Sequence, residues 1–428
     1  MSANPRVVVV DGCRTPFLRS GTEFFDLTGY DLGRMAVAGL LHRTRIDPAT
    51  VELLVLGAVL QDPRMTNLAR EVVLGAGLPH SCVAYTVTMA CISSLQAFLD
   101  AARAIQTGAA EVAIAAGVDT LSDAPIRFRR PVRRRLIAAQ KVRGAAATLR
   151  LLAGLRPSDL LPEAPAIAEY STGETMGQTC ERLAKRYAIG REEQDAYACD
   201  SHQRAARATA AGLLGRQIVP AYPPPRCIPV TTDNGIRGDS TPEKLAKLPP
   251  AFDRKLGTVT AGNSSFLTDG AAAVLLMSER RAEQLGMTPI AAVRSAAATA
   301  MDPREELLLG PAFAAPRALD GAGWRLGDVE VVEFHEAFAA QVLAVLKVLE
   351  DERFCRERLG RSAAVGRIDR DRLNAWGGSL SVGHPFGATG ARLITTCCHR
   401  MQHDNARTGL VAACAGGALG IAIALERA

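Results

Sequence analysis

Short β-branched apolar runs alternate along this chain with Ala-rich stretches of helical spacing, the pattern of an α/β fold. The apolar runs predict strands at 6–11, 53–60, 84–87 and 111–117 in the first third. Helical spacing fits 32–44, 70–75, 92–107 and 180–187. The last third repeats the plan, with strands at 290–297, 329–334, 409–414 and 420–426 and helices at 336–349 and 387–401. Residues 271–277 read as a late strand returning to the first half.

Motif order supports an internal duplication. In the first half a strand leads to Cys91 at the start of a helix, then to the strand 111–117. In the second, a Gly-rich loop leads to His384, then to the helix 387–401 and the strand 409–414. The spacing is that of a domain repeat and not of a solenoid. Between the halves the sequence changes character, with prolines at 157, 162 and 165, the run Pro223-Pro224-Pro225, and charged helical segments around 176–187 and 192–211. The predicted organisation is one half from 1–121 plus 250–280, an inserted loop domain over 122–249, and a second half over 281–428.

A length of 428 residues, 48% of them hydrophobic and 22% charged, fits a multi-domain globular protein with a large core. The net charge of +6 is localised. Residues 124–158 hold ten basic side chains and no acidic one, which leaves 6 − 10 = −4 for the rest. The seventeen uncharged residues 409–425 have the length of a membrane span, but four glycines predict a buried strand–loop–strand. The ten cysteines show no paired spacing, and residues 1–5 lead into a strand with no signal-peptide pattern. Reduced cysteines and a cytoplasmic location are expected.

Four side chains in small-residue contexts carry the candidate chemistry: Cys91, His335, His384 and Cys414. Two Cys and two His can make a zinc site, yet none of them forms the short paired spacing that structural zinc sites use. The contexts favour thiol chemistry. Cys91 precedes a helix, where the dipole and free N–H groups favour a thiolate, and it needs a lowered pKa or a base to attack at neutral pH. His384, in Gly383-His384-Pro385, can supply that base from rigid backbone. Cys414 leads into Ala415-Gly416-Gly417, whose N–H groups can approach a ligand oxygen. His335, beside Glu336 at a strand end, suits a donor to a carbonyl. Cys91 and His384 fall at helix starts in opposite halves, which places the site where the halves meet.

The chain resembles the thiolases nearly end to end, and among them the branch that forms the β subunit of the fatty-acid β-oxidation trifunctional complex. The resemblance is carried by Asp11-Gly12-Cys13-Arg14-Thr15-Pro16-Phe17, the segment 86–91, Glu169 to Gly177, the segment 257–270, Glu333 to Phe338, Asn374 to Gly390, and Cys414 to Gly417. It implies a dimeric five-layered αβαβα fold with a loop domain that binds coenzyme A. It implies that Cys91 takes the acyl group, that His384 activates it, and that Cys414 is the acid/base at the α-carbon. His335 stands where shorter-chain thiolases have Asn, and with His384 would form one oxyanion hole. The backbone N–H groups of Cys91 and Gly416 would form the other. Met176, Ser265 and Phe338 fall at positions lining the CoA and substrate channel. One departure is visible: Ala418 and Leu419 follow Gly416-Gly417, where many thiolases have a third glycine.

The expected activity is cleavage of 3-ketoacyl-CoA by CoA to acetyl-CoA and a shortened acyl-CoA, with CoA as substrate and no metal or redox cofactor. The alternatives are an acetoacetyl-CoA thiolase running in the condensing direction, a decarboxylating condensing enzyme, and a non-catalytic CoA-ester-binding subunit. Cys414 speaks against the decarboxylating kind. The basic insertion 125–156 fits a solvated surface, a site for CoA phosphates, a contact with an α subunit carrying hydratase and dehydrogenase activities, or an anionic membrane. Nucleic acid is disfavoured because only Phe128 interleaves the arginines. A homodimer or dimer of dimers is expected.

Overall fold

The structure, a computed structural model, describes residues 5–163 and 168–428; residues 1–4 of the first half and Pro165 lie outside the described residues. In the first half Val7–Arg14 lies antiparallel to Thr268–Ser278, which lies antiparallel to Val112–Asp119. That strand runs parallel to Leu53–Gly57, itself parallel to the edge strand Val83–Val87. The second half repeats this order. Ala291–Ala300 pairs antiparallel with Leu419–Arg427, which pairs antiparallel with Thr408–Ala415, which runs parallel to Val331–Phe334. The two sheets run into one another where Val8 and Val9 pair with Ala292 and Ala291.

Because strand side chains alternate in direction, each sheet feeds two separate apolar layers. Leu54 and Leu56 point into an outer layer with Leu32 and Leu40 of helix Gly29–Thr44 and Val72 of helix Leu68–Gly75. Leu53 and Val55 point the other way, onto Leu95 and Phe98 of helix Ser93–Gln106 and Leu393 and Ile394 of helix Thr389–His403. Val411 and Ile421 close that middle layer from the second sheet. Leu410 and Ala412 face the other outer layer, with Leu319 of helix Gly310–Ala322 and Val345 of helix Ala339–Glu350. Helix, sheet, helix, sheet, helix is the five-layered arrangement. Sheets covered on both faces explain why the strands read as continuous apolar runs.

The inserted segment packs onto the second half. Cys180 and Leu183 of helix Met176–Arg186 and Tyr197 and Ala198 of helix Arg191–Ala210 join the outer layer that holds Leu343. A buried ion pair ties the segment back to the first half, with Arg14 donating twice to Asp233 at 2.6 and 2.8 Å. The basic stretch folds as helices Arg130–Ala139 and Ala145–Leu152, and Val132 is buried between exposed neighbours.

Two expectations change. The helix expected from 336 starts at Ala339, and the Glu336 carboxylate is engaged elsewhere. The helices Gly310–Ala322 and Glu352–Leu359 were not expected; the first carries Pro311 at its start and Pro316 inside, which masks its periodicity. The uncharged run 409–425 is, as expected, two buried strands joined by a turn, and no helix among the described residues is long and apolar enough to cross a membrane.

Candidate active site

The Val83–Val87 strand ends in a sharp turn that Ser93 holds from within. Its Oγ accepts from Met89 N–H at 2.8 Å and donates to Ala90 carbonyl at 2.7 Å, while Ala90 takes φ 47°. Cys91 follows this strained residue and lies two positions before the first helical residue, Ser93. Burial pushes the Cys91 thiol up to about 11, against the pull of N–H groups from Gly416 and from Cys91 itself; Asp119 and Glu169 push it further up. The second of the two expected routes to attack applies, a neighbouring base.

That base is in reach. One ligand atom each of Cys91, His335 and His384 lies within 4.8 Å of the others, and the two rings are 4.1 Å apart. His384 N–H donates to Thr268 Oγ1 at 3.0 Å, and its Nδ1 lies 2.6 Å from Thr389 Oγ1. His335 is held by Ala412 carbonyl through its N–H at 2.9 Å and by Ser379 Oγ at Nδ1, also 2.9 Å. Both Nε2 atoms are buried with no protein partner. Burial, then the charge of Arg392, lowers His384 to about 3. His335 is held well below the ordinary histidine value by burial, then by His384 and Arg392. Both rings are neutral at pH 7. A tetrahedral zinc would need these donors roughly 3.5 Å apart. Cys414 is not a member of the group, so the four-ligand zinc arrangement does not form.

Cys414 ends the Thr408–Ala415 strand and is fully buried. Burial, and then the facing Cys91 sulfur, hold its thiol far above the ordinary cysteine range. The turn after it brings Gly416 N–H to Cys91 and Gly417 N–H to Glu169, at 2.6 Å. Ala418 takes φ 55°, a left-handed conformation that glycine adopts far more readily.

A second layer, not expected from sequence, fixes these groups. Glu336 accepts from Tyr197 Oη at 2.9 Å, Ser201 Oγ at 2.8 Å, Asn374 Nδ2 at 2.6 Å and Leu380 N–H at 3.2 Å. It thus locks the inserted helix Arg191–Ala210 to the loop that carries His384. Asp119 accepts from Val59, Leu60 and Gly387 N–H groups, and burial raises it to about 7. Gly387 lies so close to the first half that a Cβ there would sit 2.5 Å from Val118 carbonyl and 2.6 Å from Gly57 carbonyl.

The profile of the thiolase N-terminal domain matches residues 7–280, and that of the thiolase C-terminal domain matches residues 287–427. The chain belongs to the thiolase family. It is 49% identical over 421 residues to a 3-ketoacyl-CoA thiolase of Escherichia fergusonii, covering 98% of this chain and 97% of that protein. A 3-ketoacyl-CoA thiolase of Pectobacterium carotovorum is 48% identical over 421 residues, covering 98% and 96%. Among solved structures, the Bacillus anthracis acetyl-CoA acetyltransferase superposes with a TM-score of 0.86 at 31% identity, and human mitochondrial 3-ketoacyl-CoA thiolase with 0.85 at 30%, each over 100% of both chains.

Within this thiolase two of the expected channel residues, Ser265 and Phe338, lie on adjoining segments. Ser265 N–H donates to Ala337 carbonyl at 2.9 Å, and Ser264 bridges to Phe338. Phe338 meets Phe252 edge-on at 6.2 Å, and half-buried Met176 packs against the same cluster. Ser379 and Thr389 hydrogen-bond to the histidines and Arg392 donates to Ser379; all three were missed, since nothing in their local sequence separates them from ordinary helix residues.

Proposed function

We propose that the chain is a 3-ketoacyl-CoA thiolase, cleaving 3-ketoacyl-CoA with CoA to acetyl-CoA and an acyl-CoA two carbons shorter. The observation that carries the reading is the convergence of Cys91, His335 and His384 within 4.8 Å. His384 Nε2 takes the Cys91 proton as sulfur bonds to the 3-keto carbon. The C2–C3 bond breaks, and its electron pair becomes the enolate of acetyl-CoA. His335 and His384 stabilise the enolate oxygen, and the N–H groups of Cys91 and Gly416 stabilise the thioester oxygen. Cys414, which its raised pKa keeps protonated, gives its proton to the α-carbon. CoA then loses its thiol proton to Cys414 and displaces the acyl group, and His384 returns a proton to Cys91. Coenzyme A is a substrate, bound along Met176, Ser265 and Phe338; the cycle closes with no cofactor.

Thiolysis of a 3-ketoacyl-CoA chain-length series, read as acetyl-CoA formed, tests the reaction. Turnover of acetoacetyl-CoA alone would favour the acetyl-CoA acetyltransferase reading, which the Bacillus anthracis neighbour supports. No turnover at any length would leave a CoA-ester-binding subunit.

For partners, the edge strand Val83–Val87 exposes Val83 (63%) and Tyr85 (38%) and has an open hydrogen-bonding side. It is proposed as the seam of a homodimer, read by sedimentation. The insertion 125–156 exposes Ile137 and Leu149 beside its arginines. It is proposed to meet an anionic membrane. Flotation with liposomes should fall on removing the charges of Arg130, Arg133 and Arg134; equal flotation would remove the membrane and leave an α subunit as partner. All ten cysteines are free thiols, which supports a cytoplasmic location.

A further inference from the structure

The two histidines present identical rings to Cys91, yet their Nδ1 atoms are held in different ways. His335 Nδ1 lies 2.9 Å from Ser379 Oγ, and Arg392 Nη2 donates to that same oxygen at 2.6 Å. A guanidinium cannot accept, so the Ser379 hydroxyl hydrogen is left with His335 Nδ1 as its acceptor. The reverse arrangement, with both nitrogens donating to Oγ, would strand an O–H in a side chain that is fully buried. His335 therefore carries its hydrogen on Nε2.

His384 is the mirror case. Its Nδ1 lies 2.6 Å from Thr389 Oγ1, and the Thr389 hydroxyl donates to Pro385 carbonyl at 2.9 Å. With that hydrogen committed, the ring is the donor, and Nε2 bears a lone pair. Turning the hydroxyl toward the ring would forfeit the bond to Pro385 and set two N–H groups against each other in the cleft.

We propose that Ser379, with Arg392 behind it, and Thr389 are positioning residues that set opposite tautomers on the two histidines, a donor at His335 and an acceptor at His384. The proposal rests on the reading of Cys91 as nucleophile, and it divides the labour between two rings that composition cannot tell apart. The acceptor takes the Cys91 proton; the donor meets the enolate oxygen. Arg392 has a second effect, since its charge opposes protonation of either ring, so the donor is a neutral N–H.

Neutron diffraction from perdeuterated crystals at neutral pD reads the tautomers without reference to activity. The expected map has deuterium on Nε2 of His335 and on Nδ1 of His384; deuterium on the same nitrogen of both rings overturns the proposal. Kinetics supply the second arm. Ser379→Ala should lower kcat for thiolysis by roughly 10²- to 10³-fold with KM nearly constant, as loss of an oriented oxyanion donor does. Thr389→Val should instead slow alkylation of Cys91, and Thr389→Ser should restore it. An unchanged kcat in Ser379→Ala, or unchanged alkylation in Thr389→Val, contradicts the assignment. The expected deuterium map in a protein with no thiolysis would uphold the tautomers and count against the proposed reaction instead.

Discussion

Removing the base should expose how reluctant the nucleophile is. The Cys91 thiol sits near 11, so at pH 7 its free thiolate is about 10⁻⁴ of the population. Wild-type reactivity must come through His384, which is neutral from pH 7 to 9 because its own value is near 3. Over that range the neutral Cys91–His384 pair is the constant species, and alkylation of Cys91 by iodoacetamide should change little with pH. In His384→Ala only the free thiolate reacts. Alkylation at pH 7 should fall by roughly 10²–10⁴-fold, the usual span of general-base assistance. It should then climb about tenfold per pH unit, nearing wild type as pH approaches the thiol value. Quenched alkylation with peptide mass spectrometry measures this, and exposed Cys227 serves as an internal control for reagent and fold. A His384→Ala rate within threefold of wild type at pH 7, or a flat profile, would refute the reasoning.

Further outcomes follow from the same contacts. His202, neutral in the fold, is lowered from 6.5 to about 4 by burial, then by Arg237 and Arg19. The unfolded chain binds its proton first, so stability is complete above pH 6.5 and declines below it. At pH 5 the deficit is 1.5 pH units, about 2 kcal/mol, and urea unfolding of His202→Asn should lose about that much less than wild type between pH 7 and 5; equal losses would contradict it. Gly387→Ala would drive a Cβ onto two backbone carbonyls, so thiolysis should collapse and stability drop by about 1–3 kcal/mol; a wild-type Tm would contradict the packing. Glu336→Ala orphans donors on Tyr197, Ser201 and Asn374 and should cost about 3 kcal/mol or more in urea unfolding, with a loss below 1 kcal/mol counting against the hub.

The parts legible in the sequence are those written in local pattern. Leu53–Gly57 and Thr408–Ala415 announce themselves because both faces are buried, and Cys91, His335, His384 and Cys414 stand in motifs with few alternatives. Gly310–Ala322 escaped because Pro316 breaks the helical signal while the surrounding layer still holds the turn together. Arg392 escaped for a different reason. A buried arginine on this helix gives no sign in sequence of its partners, which are Glu333 on the strand Val331–Phe334 and Ser379 at the start of the short helix Ser379–Val382. Glu336 was legible as a neighbour of His335, but its four donors come from the inserted helix and the His384 loop, contacts that exist only once the chain has folded.

The central claim is that Cys91 carries the acyl group. Intact mass of the protein mixed with a 3-ketoacyl-CoA, without added CoA, measures it directly. The account predicts one shortened acyl chain per subunit, mapped to the peptide containing Cys91 and absent in Cys91→Ala. No adduct on wild type, or an equal adduct on Cys91→Ala, would contradict it.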